Sequence, residues 1–513
     1  MNLVKKVREQ SLNHPEKIAY IFEGRSTTYG EFEDKVSSLA FSMNQLGIQK
    51  GDHVALIFQN CPHFLIAYYA LMRIGAVSIP INPMYTLDEM SYIVDNGDVK
   101  WIIAGEDSIG RINQLSNKFS QIKGSILCDK DSSHLFHDRQ EGKYHFYSDL
   151  IKHSYSMKPV SLEADDIAII LYTSGTTGHP KGVMLTHGNL YANARDVGDY
   201  FLFSEEDRVI ATLPFYHVFA LTVVLNVPLS TGATILIAPR FSPKYIFQLA
   251  KEYHATVFAG VPTMYSFLHQ YKEGEPSSFS SLRLAISGGA PLPIKVLENF
   301  EARFNIPIFE GYGLSEAAPV TCFNSPTQKP KPGSIGTSIP NVINKVVDDQ
   351  GNDVAIGEVG ELICKGPNVM KGYYKSPEET DKAIRDGWLY TGDLARQDEE
   401  GYIYIVDRKK DLIIVGGYNV YPREVEEVLY THPKVLEAAV VGFSNEDYGE
   451  EVHAFIVLKE EAYYDELLQH CEKHLATYKI PEAFHIIQSL PKNSTGKILK
   501  RHLKERIERK VTE

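Results

Sequence analysis

Residues 173–182 read Thr-Ser-Gly-Thr-Thr-Gly-His-Pro-Lys-Gly and follow a β-branched run at 167–172. Thr173, Ser174, Gly175, Thr176, Thr177 and Gly178 place six hydroxyl or glycine positions ahead of Lys181. Glycines expose backbone N–H groups, Ser and Thr add hydroxyls, and the lysine adds an ammonium. That is the donor set polyphosphate recognition requires. The loop is not a Walker A, which needs Gly-Lys-Ser/Thr where this chain has Pro180-Lys181-Gly182. A P-loop kinase or ATPase is therefore disfavoured. Gly311 and Gly313 begin a dinucleotide fingerprint, but Glu316 stands where its third glycine would fall. No Gly-x-Ser-x-Gly elbow supplies a hydrolase nucleophile.

The elements that must hold this loop alternate along the first three hundred residues. Strand-like runs at 54–58, 77–79 and 99–104 are separated by an apolar helix at 62–71 and a helix opened by the capping box Thr86-Leu-Asp-Glu89. The pattern returns with strands at 209–213, 234–237, 256–259, 283–287 and 306–309 and helices at 243–253 and 291–304. Such alternation predicts an α/β fold of largely parallel sheets covered by helices, in two subdomains around 50–200 and 205–315. From about Gly333, turns punctuate short strands at 361–365 and 402–406, which predicts a β-rich subdomain. Beyond Asp407-Arg-Lys-Lys-Asp411 the elements become short and mixed α+β. The predicted division is a large domain over 1–409 and a small one over 410–513.

The chain of 513 residues is 43% hydrophobic and 23% charged, the balance of a globular protein. Its net charge of −13 argues against a nucleic-acid partner and leaves no polybasic membrane patch. Five scattered cysteines form no metal or disulfide spacing, which favours reduced thiols and a cytoplasmic location. No apolar h-region follows the first residues, and the apolar stretch 65–81 is broken by Arg73 and Pro80. No transmembrane segment is expected, while peripheral membrane contact stays open. His470 and His474 flank Cys471 at helical spacing, but nothing else completes a metal site, so they read as helix surface.

Tyr172-Thr-Ser-Gly-Thr-Thr-Gly-His-Pro-Lys-Gly182 resembles the AMP-binding signature of the adenylate-forming superfamily, which holds acyl-CoA synthetases, peptide-synthetase adenylation domains and firefly luciferase. Five further motifs recur in family order over nearly the whole chain. They are Glu310-Gly-Tyr-Gly-Leu-Ser-Glu316, Asp386-Gly-Trp-Leu-Tyr-Thr-Gly-Asp393, Asp407-Arg-Lys-Lys-Asp411, Gly416-Gly-Tyr-Asn-Val-Tyr-Pro422 and Pro491-Lys-Asn-Ser-Thr-Gly-Lys497. The resemblance implies ATP, Mg2+ and coenzyme A. It assigns the phosphates to Thr173 through Lys181 and the magnesium contacts to Thr173 and Glu316. Gly288, Gly289 and Ala290 with Glu310, Gly311 and Tyr312 match the adenine pocket, Gly313 and Ser315 fall among the nucleotide-binding positions, and Gly311 and Gly313 would leave room for a long acyl chain. Asp393 and Arg408 match the ribose and phosphate contacts. Lys497 matches a mobile catalytic lysine bridging carboxylate and α-phosphate, and His217 a gate between nucleotide and acyl pocket. Lys410 matches the hinge of a mobile C-terminal domain, and Gly416, Gly417 and Tyr418 the face that admits the thiol.

Within that superfamily the motifs look like bacterial long-chain acyl-CoA synthetases. The segments 218–225, 261–265 and 317–320, expected to line the acyl pocket, carry no charged partner for a polar acid. The implied activity is an ATP-dependent fatty-acid–CoA ligase. The alternatives are a CoA ligase for medium-chain or aryl acids, since Ile413-Ile-Val-Gly-Gly-Tyr-Asn419 departs from the eukaryotic long-chain signature, and an enzyme that loads a carrier protein. With few residues after Lys497, an attached carrier domain is not expected. Small molecules are the expected partners, with a homodimer common among relatives.

Overall fold

The computed structural model describes residues 2–128, 144–155, 157, 160–173, 180–445, 447–492 and 498–512. Among these, four sheets organise the chain. The first runs Gly372–Tyr373, Lys181–Thr186, Ile167–Thr173, Val77–Ile81, His53–Ile57, Trp101–Gly105, Gly124–Cys128, Tyr144–Phe146 from edge to edge. Its core strands are parallel, and Ile167–Thr173 turns back antiparallel into Lys181–Thr186. The helix Pro62–Ile74 starts with a proline in its first turn and ends on Gly75 at φ +74. Eleven of its thirteen residues are buried, as its apolar circumference requires. Thr86 and Glu89 form the expected capping box on the helix Leu87–Asn96.

The second sheet carries the parallel strands Arg208–Ala211, Thr234–Ile237, Val257–Gly260, Leu284–Ser287 and Ile308–Gly313, with Val320–Phe323 added antiparallel. A hairpin from far upstream, Ile18–Phe22 with Arg25–Thr28, completes this sheet by pairing parallel to Thr234–Ile237. One expected helix begins later than its sequence suggests, at Ile294 rather than 291. Pro293 caps the helix in an extended conformation, and a residue before a proline, as Leu292 is, is disfavoured in the helical region. The segment after His217 winds as a π-helix over Ala220–Asn226, a form that recurs at functional sites.

The third sheet is antiparallel: Ile343–Val347, Gly360–Lys365, Trp388–Gln397 and Ile403–Arg408, with Ile384–Arg385 at an edge. The fourth holds Ile413–Val415, Tyr418–Val420, Val435–Asn445 and Gly449–Leu458 antiparallel, with Ala483–Ile486 added parallel. The helices Pro422–Thr431 and Tyr464–His474 pack on it through Val425, Leu429, Leu467 and Cys471. The chain is thus a large α/β N-terminal part with a smaller, mainly antiparallel C-terminal unit. All five cysteines are free thiols. No helix among the described residues is long and apolar enough to cross a membrane.

Candidate active site

Thr173 and Lys181 are directly paired residues at the end of the Ile167–Thr173/Lys181–Thr186 hairpin. In sequence, the donor-rich segment joins these two paired strands. Ser174, Gly175, Thr176, Thr177 and Gly178 lie outside the described residues. The Lys181 ammonium bonds Glu379 on the helix Pro377–Ala383 and sits 5.2 Å from the centre of the Tyr373 ring. Tyr373 belongs to the edge strand beside Lys181–Thr186, and its hydroxyl donates to Glu316 Oε1 at 2.8 Å. Burial and the Glu316 carboxylate push the Tyr373 phenol far above its ordinary range.

Glu316 lies in the short 3-10 turn Ser315–Ala317, just after the strand Ile308–Gly313. Three fully buried polar side chains fix this segment. Asn193 brackets Val320 with both amide atoms, Asn368 donates to the carbonyls of Ala317 and Val320, and Thr222 donates to Ala318 O at 2.8 Å. The Met370 N–H binds Glu316 O at 2.8 Å. A carboxylate held on so constrained a backbone is preorganised rather than free to reorient. Gly313 is required there, since a Cβ would lie 2.3 Å from Pro319 O.

The strand Ile308–Gly313 runs on past the expected end at 309, so Glu310, Gly311, Tyr312 and Gly313 are sheet residues. Glu310 is 3% exposed. Its Oε1 accepts the Leu292 N–H at 2.9 Å, while Oε2 is buried without a partner. Burial lifts its pKa to about 7, with Arg423 pulling the other way. Gly288, Gly289 and Ala290 follow the C-terminal end of Leu284–Ser287, and Gly289 takes φ +80. Ser287 Oγ is likewise buried and unpartnered. Ligands of parallel sheets bind at these strand ends, and orphaned buried polar atoms there are open to a polar ligand.

Tyr312 and Asp393 meet across sheets two and three, the phenol donating to Asp393 Oδ2 at 2.5 Å. Asp393 is paired in register with Arg408, whose Nε lies 3.5 Å from Oδ1. Carboxylate and guanidinium thus stand on adjacent strands beside one aromatic ring. His217 opens the turn before the π-helix, and its Nδ1 accepts the Phe219 N–H at 3.3 Å. The neutral ring then carries its proton on Nε2. Lys410 falls in the turn Lys409–Asp411 between the third and fourth sheets. Gly416 and Gly417, at φ +56 and +83, make the two-residue turn of the hairpin Ile413–Val415/Tyr418–Val420. Positive φ at both positions explains the glycines, and Tyr418 stacks on Tyr478 at 4.8 Å. Lys497 lies outside the described residues. Its flanks are tied down by Lys492 to Glu437, Lys500 to Glu426 at 2.8 Å and Leu499 N to Pro491 O.

Two cavities open on the first sheet, and only one is lined by residues named above. One of about 210 Å³ is lined by Lys181, Gly182, Tyr374, Ser376 and Glu379, among others. The second, about 410 Å³, is lined by Gln59, Pro83, Met84, Asp107, Ser108, Gly110, Arg111 and Gln114. It opens where three parallel strands, His53–Ile57, Val77–Ile81 and Trp101–Gly105, all end. The chain order reverses between His53–Ile57 and Trp101–Gly105, so this is a topological switch point. The motifs gave no hint of this cavity, nor of Tyr373, Glu379 and Arg423, whose roles depend on contacts across dozens to hundreds of residues. Among the described residues no cluster of three His, Cys, Asp or Glu could hold a metal ion alone. The donor set, one preorganised carboxylate with a threonine beside cationic groups, suits magnesium carried in on phosphates.

Residues 7–374 match the family described as AMP-binding enzyme, and residues 424–497 match the AMP-binding enzyme C-terminal domain. The chain belongs to the AMP-binding enzyme family. It is 37% identical to a long-chain-fatty-acid–CoA ligase of Bacillus subtilis (strain 168), over 97% of this chain and 93% of that one. It is an acid–CoA ligase of the AMP-forming class. ATP-bound MatB from Rhodopseudomonas palustris superposes with a TM-score of 0.91 at 33% identity, covering 99% of each chain, and apo MatB with 0.81. The o-succinylbenzoate CoA synthetase MenE of Bacillus subtilis, solved with ATP and a magnesium ion, gives 0.84 at 29% identity over 97% of this chain and 99% of that one.

Proposed function

We propose that this protein is an ATP-dependent fatty-acid–CoA ligase acting on long-chain acids. An acid carboxylate oxygen attacks the α-phosphorus of ATP, the bond to the β-phosphate oxygen breaks, and pyrophosphate leaves. The CoA thiol, deprotonated, then attacks the acyl carbonyl and AMP leaves with the carboxyl-derived oxygen. The first step brings two anions together, so the site must present fixed positive charge and donors. Magnesium, when bound with ATP, neutralises phosphate charge, and Thr173 and Glu316 are the residues that would hold it. Lys181 and the loop before it bind the phosphates. Gly288, Gly289, Ala290 and Glu310 with Gly311, Tyr312, Gly313 and Ser315 receive the base. Asp393 accepts from the ribose hydroxyls, with Arg408 alongside. His217 serves as the gate between nucleotide and acyl pocket, and Lys497 completes the charge around carboxylate and α-phosphate.

The observation that carries the choice of a fatty acid is the chemistry of the segments at 218–225, 261–265 and 317–320. Two of their three polar side chains are spent inward: Thr222 donates to Ala318 O, and Tyr265 to Ile286 O at 2.7 Å, while Thr263 is half-buried. Apart from these the side chains there are almost all buried apolar groups, which leaves no charge to recognise an amino acid or a diacid. The resemblance to a ligase named for long-chain fatty acids over nearly its full length supports the same reading. The cavity beside Arg111 suits the phosphorylated nucleotide end of coenzyme A, with Arg111 on phosphate and Asp107 accepting from a ribose or amino group. Burial, then Glu89, then the nearby Tyr216 phenol raise the pKa of Tyr85, next to Met84, and the last of these sets the loop near the His217 segment. A pantetheine arm laid along it would bring the thiol toward the acyl group. The turn at Lys410 divides domains 1–409 and 410–513, and the smaller one alternates between the two steps. Location in the cytoplasm and assembly as a homodimer belong to the same reading.

Pyrophosphate release measured with acids of rising chain length, coumarate and amino acids, each with and without CoA, tests the assignment. Each buried CH₂ is worth about 0.8 kcal/mol, so kcat/KM should climb with chain length until the pocket ends. Preference for an aryl acid over every fatty acid, or pyrophosphate release without CoA-thioester, would replace the substrate or the acceptor named here.

A further inference from the structure

Helix Pro377–Ala383 supplies a carboxylate that no motif of the site includes. Glu379 Oε2 bonds the Lys181 ammonium, and its Oε1 accepts from Lys382 at 2.8 Å, which anchors it from the solvent side. The Lys181 side chain is 18% exposed and Glu379 31%, beside a cavity of about 210 Å³ that both line. The pair is thus reachable by a small anion. The Tyr373 ring lies 5.2 Å from the same ammonium, and its hydroxyl holds Glu316. A lysine stored against an anion and an aromatic face is aimed before the nucleotide arrives. Holding it also costs any incoming phosphate the energy of breaking that pair.

We propose that Glu379 is a positioning residue that acts as a built-in stand-in for phosphate, holding Lys181 until polyphosphate displaces it and reclaiming it as pyrophosphate departs. This rests on the reading that Lys181 contacts the phosphates. The two lysines hold the Glu379 carboxyl down at about 2, so the stand-in is anionic throughout the working range. Its consequence is a competition. Without the carboxylate, Lys181 is free for phosphate, so ATP should bind more tightly and pyrophosphate should leave more reluctantly. An ordinary structural ion pair predicts the reverse, since its loss loosens the site.

The test is Glu379→Gln in the full-length enzyme, read as KM for ATP and as the inhibition constant of pyrophosphate against ATP. Both should fall by about 2- to 5-fold, the scale of a partly exposed ion pair. Lys181→Ala should raise both, and Glu379→Gln should add nothing in that background. If Lys181→Ala raises both constants but Glu379→Gln raises them or leaves them unchanged, the stand-in role is overturned while the phosphate contact survives. If Lys181→Ala changes neither, the phosphate contact fails, and the proposal with it. Thermal unfolding of Glu379→Gln within a few degrees of the parent excludes a folding defect as the source of either result.

Discussion

Burial lifts the Glu310 carboxyl to about 7 against its ordinary 4.5. The folded chain therefore keeps a proton that the unfolded chain loses between those values. This group's contribution to stability is greatest below about pH 4.5, falls as pH rises through that window, and is flat above it. Glu310→Gln stays neutral and keeps an Oε1 acceptor for the Leu292 N–H. We expect it to unfold at the same temperature as the parent near pH 4.5 and to be more stable by about 1–3 kcal/mol at pH 8. Parallel melting curves at the two pH values check this, and equal shifts at both would show that ionisation is not the cause. Glu316→Ala belongs to the same scale. Loss of a preorganised carboxylate at the magnesium position should cost adenylation several kcal/mol, measured as pyrophosphate release, and near-normal rates at limiting magnesium would refute the assignment. The family motifs point to Glu316 and Asp393 because those motifs are local in sequence. They could not reveal Glu379, which reads as an ordinary first-turn helix acid after Pro377 and meets Lys181 only across 198 residues.

Strand and helix periodicity carried most of the α/β elements, because a fully buried parallel strand or helix must be apolar along its length. Thr234–Ile237 and Pro243–Tyr253 match the expected ranges end for end. Failures fell where distant pairing decides the outcome. The hairpin Ile18–Phe22/Arg25–Thr28 joins a sheet whose other strands begin nearly two hundred residues later. The extension of Ile308–Gly313 comes from antiparallel pairing with Val320–Phe323, which forces Gly311 against the Phe323 ring, where a Cβ would lie 1.9 Å away. The cavity at the ends of His53–Ile57, Val77–Ile81 and Trp101–Gly105 is a product of strand order, which periodicity does not report. Arg111→Ala tests its proposed use. We expect KM for CoA to rise about 10-fold or more, as for loss of one charge-assisted phosphate contact, with ATP–pyrophosphate exchange unchanged. A change confined to the ATP constants would move that cavity out of the thiol pathway.

At the scale of the whole molecule, the mechanism proposed above asks the two proposed domains to change their arrangement between the two chemical steps. The chain superposes on ATP-bound MatB with a TM-score of 0.91 and on apo MatB with 0.81. Two lysines should then fail in different half-reactions. Lys497, if it bridges carboxylate and α-phosphate, matters only while acyl-AMP forms. Lys497→Ala should lose adenylation by about 10²–10³-fold, as for one preorganised donor, yet still convert supplied acyl-AMP and CoA to thioester. Lys410, in the turn between the third and fourth sheets, must change its backbone dihedrals for the C-terminal domain to rotate. Lys410→Pro fixes φ near −65°, so adenylation should survive while thioester formation falls. Both half-reactions are measured on both variants, with acyl-AMP supplied for the second. Loss of the same half-reaction in both, or of neither in Lys410→Pro, would mean that the two steps share one arrangement of the domains.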